Sequence, residues 1–193
     1  MARRFRRSRK GITASLDEVE VDLLARLFAD VAEMVTPDGG AAEDPLAALV
    51  GITEDARMPD DPAMARLLPD AHREDPDAAA EFRRFTERGI RDRKAEGLRT
   101  AGGTLDRGQP LALTDDEARA WLTGLTDVRL VIAERLGLRT DDDAEALHLE
   151  LAELPEGDPR AWLGAVYDFL TWLQESLAEV LLAGLAGERG SGA

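Results

Sequence analysis

Cysteine is absent from this 193-residue chain. That excludes disulfides, thiolate zinc sites and cysteine nucleophiles, and it fits a reducing compartment. Histidine occurs only twice, as His72 and His148, which leaves few parts for a nucleophile with its general base. No apolar run approaches 18 residues, so nothing in the sequence is expected to cross a membrane. The phosphate loop GxxxxGK[ST], a GxGxxG turn after a strand, the zinc helix HExxH and the elbow GxSxG are all missing. Lysine is scarce as well, present only as Lys10 and Lys94, so the cations are almost all arginine.

What is present builds a folded protein. Hydrophobic residues make up 44% of the chain, enough for a sizeable core and too many for wholesale disorder. The net charge of −15 is unevenly placed: Arg3, Arg4, Arg6, Arg7, Arg9 and Lys10 fall in the first ten positions, and setting those six aside leaves −21 on the rest. So acidic a body repels phosphate backbones. Residues 11–22 hold no apolar run of the length a signal peptide needs, so the basic start is not expected to be one.

The chain reads as mainly α, a single-domain helical bundle of four major helices plus minor ones, with a short N-terminal β-hairpin. Residues 1–10 form the basic arm and first strand, 11–186 the helical domain, and 187–193 a disordered tail. In the arm Phe5, Ile12, Ala14 and Leu16 alternate with polar residues around a turn at Arg9-Lys10-Gly11. Two strands are marginal alone, so Phe5 and Ile12 are expected to lie on the helices.

Asp17 with Glu20 starts the first helix, 18–35, whose Val19, Leu23, Leu24, Leu27, Phe28, Val31 and Val35 keep helical spacing. Asp-Pro pairs at Asp44, Asp61 and Asp75 mark further helix starts, near 46–50, 63–68 and 77–100. In the last of these Phe82, Phe85 and Ile90 are expected to face inward, and Gly102-Gly103 to end it before a loop reaching Leu113. Thr114 with Glu117 opens the central helix, 115–136, apolar on more than one face and so expected to be surrounded by protein. An acidic segment, 141–158, carries a short helix. A final helix, 160–185, shows a wide stripe that includes Trp162, Val166, Tyr167, Leu170, Leu173 and Leu177.

Candidate chemistry is sparse. Glu145 and His148 have the i, i+3 spacing of carboxylate-bridged di-iron helices, but the second pair such a site needs is missing. No metal, cofactor or catalytic residue is therefore assigned, and the chain is read as a non-enzyme. Arg129 stands mid-helix among Leu122, Leu125, Val128 and Ile132. A guanidinium there needs a carboxylate, and Asp168 or Glu175 on the last helix is the expected partner. The alternative is a small-ligand or enzyme site centred on Arg129. Between Arg83 and Arg99 seven cations face three carboxylates, which reads as pairing with the acidic surroundings or as a patch for an acidic partner. Arg84, Arg88, Arg129, Trp172 and Gln174 are the partner-binding candidates. Arg3, Arg4, Arg6, Arg7, Arg9 and Lys10 are the nucleic-acid candidates, although the acidic body favours pairing of the arm with the protein itself.

Three ordered blocks carry a resemblance: LLPDAHREDPDAAAEFRRFTE (67–87), WLTGLTDVRLVIAERLG (121–137) and LPEGDPRAWLGAVYDFLTWLQESL (154–177). Together they resemble an uncharacterised actinobacterial family, a domain of unknown function whose genes tend to lie beside the gene for the Clp protease adaptor. The resemblance runs from Phe5 to about Leu182. It implies a cytoplasmic, mainly helical protein, and members are sometimes labelled transcriptional regulators. It supplies no catalytic residues. The expected function is thus a non-enzymatic cytoplasmic interaction module linked to Clp-regulated proteolysis, with a protein partner or a second copy as ligand. A nucleic-acid-binding regulator using the arginine arm is the alternative.

Overall fold

The computed structural model describes residues 2–9, 11–36, 58–72, 74–155 and 157–190. The expected helix near 46–50, Lys10 and residues 191–193 lie outside them. In chain order come β1 (Arg3–Ser8), β2 (Gly11–Ser15), α1 (Glu18–Val35), α2 (Pro62–Leu67), α3 (Pro76–Leu105), β3 (Leu111–Leu113), α4 (Asp115–Leu136), α5 (Asp141–Glu153) and α6 (Pro159–Gly190). The fold is mainly helical, with four long helices and a small antiparallel hairpin at the N-terminus.

Helix starts follow local chemistry. Asp17, Thr114 and Thr140 each close a capping box, with Glu20, Glu117 and Asp143 answering from the third helical position. Asp61 and Asp75 cap α2 and α3 ahead of proline. Gly137 ends α4 in the left-handed conformation at φ 80°.

Helix α4 is the axis, packing against α1, α2, α3 and α6. Its Trp121, Leu125 and Val128 are fully buried and Ile132 nearly so, as expected for a helix that is apolar on several faces. Phe5 and Ile12 are buried too, which seats the hairpin on the helices.

Five details differ from the sequence reading. Helix α3 passes through Gly102-Gly103 to Leu105, because Ala101, Thr104 and Leu105 bury there and packing outweighs weak propensity. The stretch after it is not all loop: Leu111–Leu113 forms β3, and the sheet has three strands in the order β1-β2-β3. Gln109 joins them, its Oε1 accepting from the N–H of Leu16 at 2.9 Å and of Leu111 at 3.2 Å. Phe82 and Phe85 are exposed, since the buried line of α3 runs through Ala79, Arg83, Ala95 and Leu98 instead. Val19 and Trp162 are exposed as well. Helix α6 continues to Gly190, past its expected end near 185.

Gly11 shows how tightly the sheet is made. It sits at φ +103°, and a Cβ there would lie 2.3 Å from the backbone oxygen of Leu113. Gly11→Ala therefore combines a strained conformation with a clash against β3 backbone. It is expected to lower unfolding free energy by more than about 1 kcal/mol, read as a drop in denaturant midpoint at unchanged slope.

Candidate functional site

Helices α4 and α6 meet along a polar seam beside the core. Arg129 Nη1 donates to Gln174 Oε1 at 2.7 Å and Nη2 donates to the Tyr167 hydroxyl at 3.1 Å. The guanidinium carbon stands 5.0 Å from the centre of the Tyr167 ring. Gln174 Nε2 in turn donates to Thr126 Oγ1 at 2.8 Å. The expected carboxylates are displaced from this role: Asp168 and Glu175 follow Tyr167 and Gln174 by one residue, a rotation of about 100° on a helix, and both are exposed. Among the described residues Arg129 Nε is buried and has no hydrogen-bond acceptor.

Arg129 opens onto a cleft of 250 Å³ lined by Arg66, Thr126, Leu130, Ala133, Leu138, Arg139, Thr140 and Tyr167. Arg66 comes from α2, and its Nη1 donates to the Leu138 carbonyl at 2.9 Å. Arg139 follows the α4 stop at Gly137. Both pair with one carboxylate, Glu134, at 3.2 Å and 3.0 Å. Neither Arg66 nor Arg139 was singled out by sequence, because each is an ordinary surface arginine until the fold brings α2 against the end of α4.

Among the described residues the arginine arm is bound down at two places. Arg4 pairs with Glu179 at 2.7 Å and Arg7 with Asp115 at 3.0 Å. Arg3, Arg6 and Arg9 are exposed. The α3 face follows the same habit. Arg83, only 6% exposed, pairs with Asp70 and with Glu87, while Arg91 pairs with Glu87 at 2.6 Å. That demand for carboxylates holds Arg83 inward and leaves Phe82 outside, against the His72 ring. Arg84 is exposed and Arg88 half-buried.

One buried pair went unseen in the sequence. Lys94 Nζ of α3 donates to Asp127 Oδ1 of α4 at 2.6 Å, and Asp127 is 2% exposed. Burial pushes the Asp127 carboxyl above the usual range, partly offset by Lys94. The signal was available: Asp127 lies between Leu125 and Val128 in the most buried helix, and Lys94 is one of only two lysines.

On α6 the apolar stripe is wider than the core it covers. Val166, Leu170, Leu173 and Leu177 are buried. To one side Trp162 is 58% exposed, and Phe169 stacks on Trp172 at 6.3 Å with both rings half-buried. Among the described residues no group of three His, Asp or Glu side chains could hold a metal ion. Helix α5 carries the Glu145–His148 spacing, but those two side chains lie outside the description.

The chain belongs to the family described as Domain of unknown function (DUF2017), whose sequence model covers residues 2–181. Relatives in Mycobacterium bovis and Mycobacterium tuberculosis, named oxidative stress regulator AosR, are 32% identical over 160 residues, spanning 75% of this chain and 70% of theirs. A Mycobacterium leprae relative is 31% identical over 180 residues, spanning 85% of this chain and 79% of its own. No solved structure shows a significant match. No helix among the described residues is long and apolar enough to cross a membrane.

Proposed function

We propose that this protein is a non-enzymatic regulator of the oxidative-stress response that acts by holding a protein partner, with the aromatic side of α6 as the contact. The observation that carries this reading is the Trp162–Phe169–Trp172 edge of a core helix, where Trp162 is 58% exposed and Phe169 and Trp172, stacked on each other, are only partly covered by the core. Aromatics in that state are the residue types that anchor protein interfaces. The regulator name of the mycobacterial relatives supports the response. This chain has no cysteine, so it has no thiol with which to read oxidant directly. The signal then reaches it through the partner or through its own abundance.

The resemblance to a family encoded beside the Clp adaptor makes that adaptor and its ATPase the first partners to test, with a second copy of the chain as the other candidate and the cytoplasm as the compartment. Light scattering on the purified chain, then pull-down with the adaptor and ATPase, is expected to show a complex. Trp162→Ser with Trp172→Ser should weaken it about tenfold or more, as loss of two anchors does. A strict monomer that retains neither partner sinks the proposal. The nucleic-acid alternative rests on exposed Arg3, Arg6 and Arg9; undetectable binding to duplex DNA at low salt removes it.

A further inference from the structure

The cleft beside Arg129 has a composition that helix packing does not call for. Three guanidinium groups from separate stretches of chain line it: Arg66 on α2, Arg129 on α4 and Arg139 after the α4 stop. This gathering of cations occurs on a chain of net charge −15. Glu134, with a side chain 9% exposed, is shared by Arg66 and Arg139. Among the described residues Asp143 also stands at this end of α4, accepting from the backbone N–H groups of Arg139 and Thr140. Arg129 makes its described hydrogen bonds to neutral groups, Gln174 and Tyr167.

A guanidinium carries five N–H donors, and two of those on Arg129 are engaged among the described residues. Its neutral partners fix the plane of the group without neutralising it. An incoming anion therefore meets a positive charge that it can approach without displacing a carboxylate. The hydroxyls of Thr140 and Tyr167 add donors, and Leu130, Ala133 and Leu138 supply dry walls. At 250 Å³ the space is below that of drug-sized sites and suits a small metabolite.

We propose that this cleft binds a small oxyanion, a phosphate monoester or a dicarboxylate. Its occupant ties α2, α4 and α6 together. The site is independent of the aromatic edge of α6, so either reading stands or falls without the other.

The test titrates the full chain by calorimetry with inorganic phosphate and, separately, with succinate, each against chloride at matched ionic strength. Saturable one-site binding of at least one probe is expected. Affinity should fall about tenfold or more in Arg129→Gln and in Arg139→Gln, the scale of a lost charge-assisted bond, and stay unchanged in Arg119→Gln, which lies outside the cleft. Binding of phosphate alone assigns a phosphate ligand, and of succinate alone a dicarboxylate. Arg139 is 70% exposed, so its variant carries the test even if Arg129→Gln fails to fold. No binding beyond chloride, or equal binding by both cleft variants, overturns the proposal.

Discussion

Lys94→Met is expected to lower unfolding free energy by about 3–5 kcal/mol at neutral pH, the usual cost of stranding one member of a buried ion pair. Asp127 is 2% exposed, and its Oδ1 accepts from Lys94 while Oδ2 has no described partner. Without the ammonium the carboxylate must stay charged in an apolar setting or take up a proton. The sign of the pH dependence follows. Asp127 already titrates above the usual range because of burial, so its protonated form is favoured by folding. The associated stability is present in acid and is lost as pH rises through the folded value. Removing Lys94 deletes the opposing influence and carries that loss to higher pH. The deficit of Lys94→Met should therefore be smaller at pH 5 than at pH 7.5. Replacing both partners, Lys94→Met with Asp127→Leu, should recover most of the loss, because no buried charge remains. Denaturant unfolding of the three proteins at both pH values decides it. A single variant as stable as the parent would mean the pair contributes nothing.

Trp121→Ala is the second large effect, expected at about 3–5 kcal/mol. The indole has no exposed surface. It meets Phe28 of α1 edge-on at 5.2 Å and Phe5 of β1 at 5.8 Å, and its Nε1 donates to Thr104 Oγ1 of α3 at 2.8 Å. One side chain of α4 thus joins the first strand, the first helix and the third. Truncation leaves a cavity bordered by elements that other contacts hold in place, so collapse is limited. In a domain stabilised by about 5–15 kcal/mol, as most are, that loss takes from about a fifth of the stability to all of it. Trp121→Phe keeps most of the apolar volume and loses the hydrogen bond, so about 1–2 kcal/mol is expected. Thermal unfolding with near-ultraviolet dichroism separates the two variants. A midpoint for Trp121→Ala within a few degrees of the parent would contradict the packing described.

How legible all this was depends on the range of the forces involved. Helix boundaries at Asp17, Thr114 and Gly137 were readable because capping is local: the residue and its partner lie three or four positions apart. The centrality of α4 was readable because periodicity averages over many residues. What escaped depended on encounters between distant segments. Phe82 and Phe85 are larger and more apolar than Arg83, so pattern alone turns them inward. Only Asp70 and the Glu87–Arg91 pairing, once assembled, make burying the arginine the better outcome. Strand β3 has three residues, too few for alternation to register. Arg129 was flagged for its surroundings, yet its companions Arg66 and Arg139 were not. Each is unremarkable in its own neighbourhood and becomes part of a site only through the placing of α2.

The contact between β1 and α6 has a temporal consequence. The Phe5 N–H donates to Ser176 Oγ at 3.4 Å, and Arg4 reaches Glu179, so β1 is completed by residues 171 and 175 positions later in the sequence. On a ribosome the basic strand emerges long before its helical seat exists. Sequence-distant closures of this kind are slow. Until α6 has been made, β1 presents Arg4 and Phe5 without the Glu179 and Ser176 that receive them in the fold.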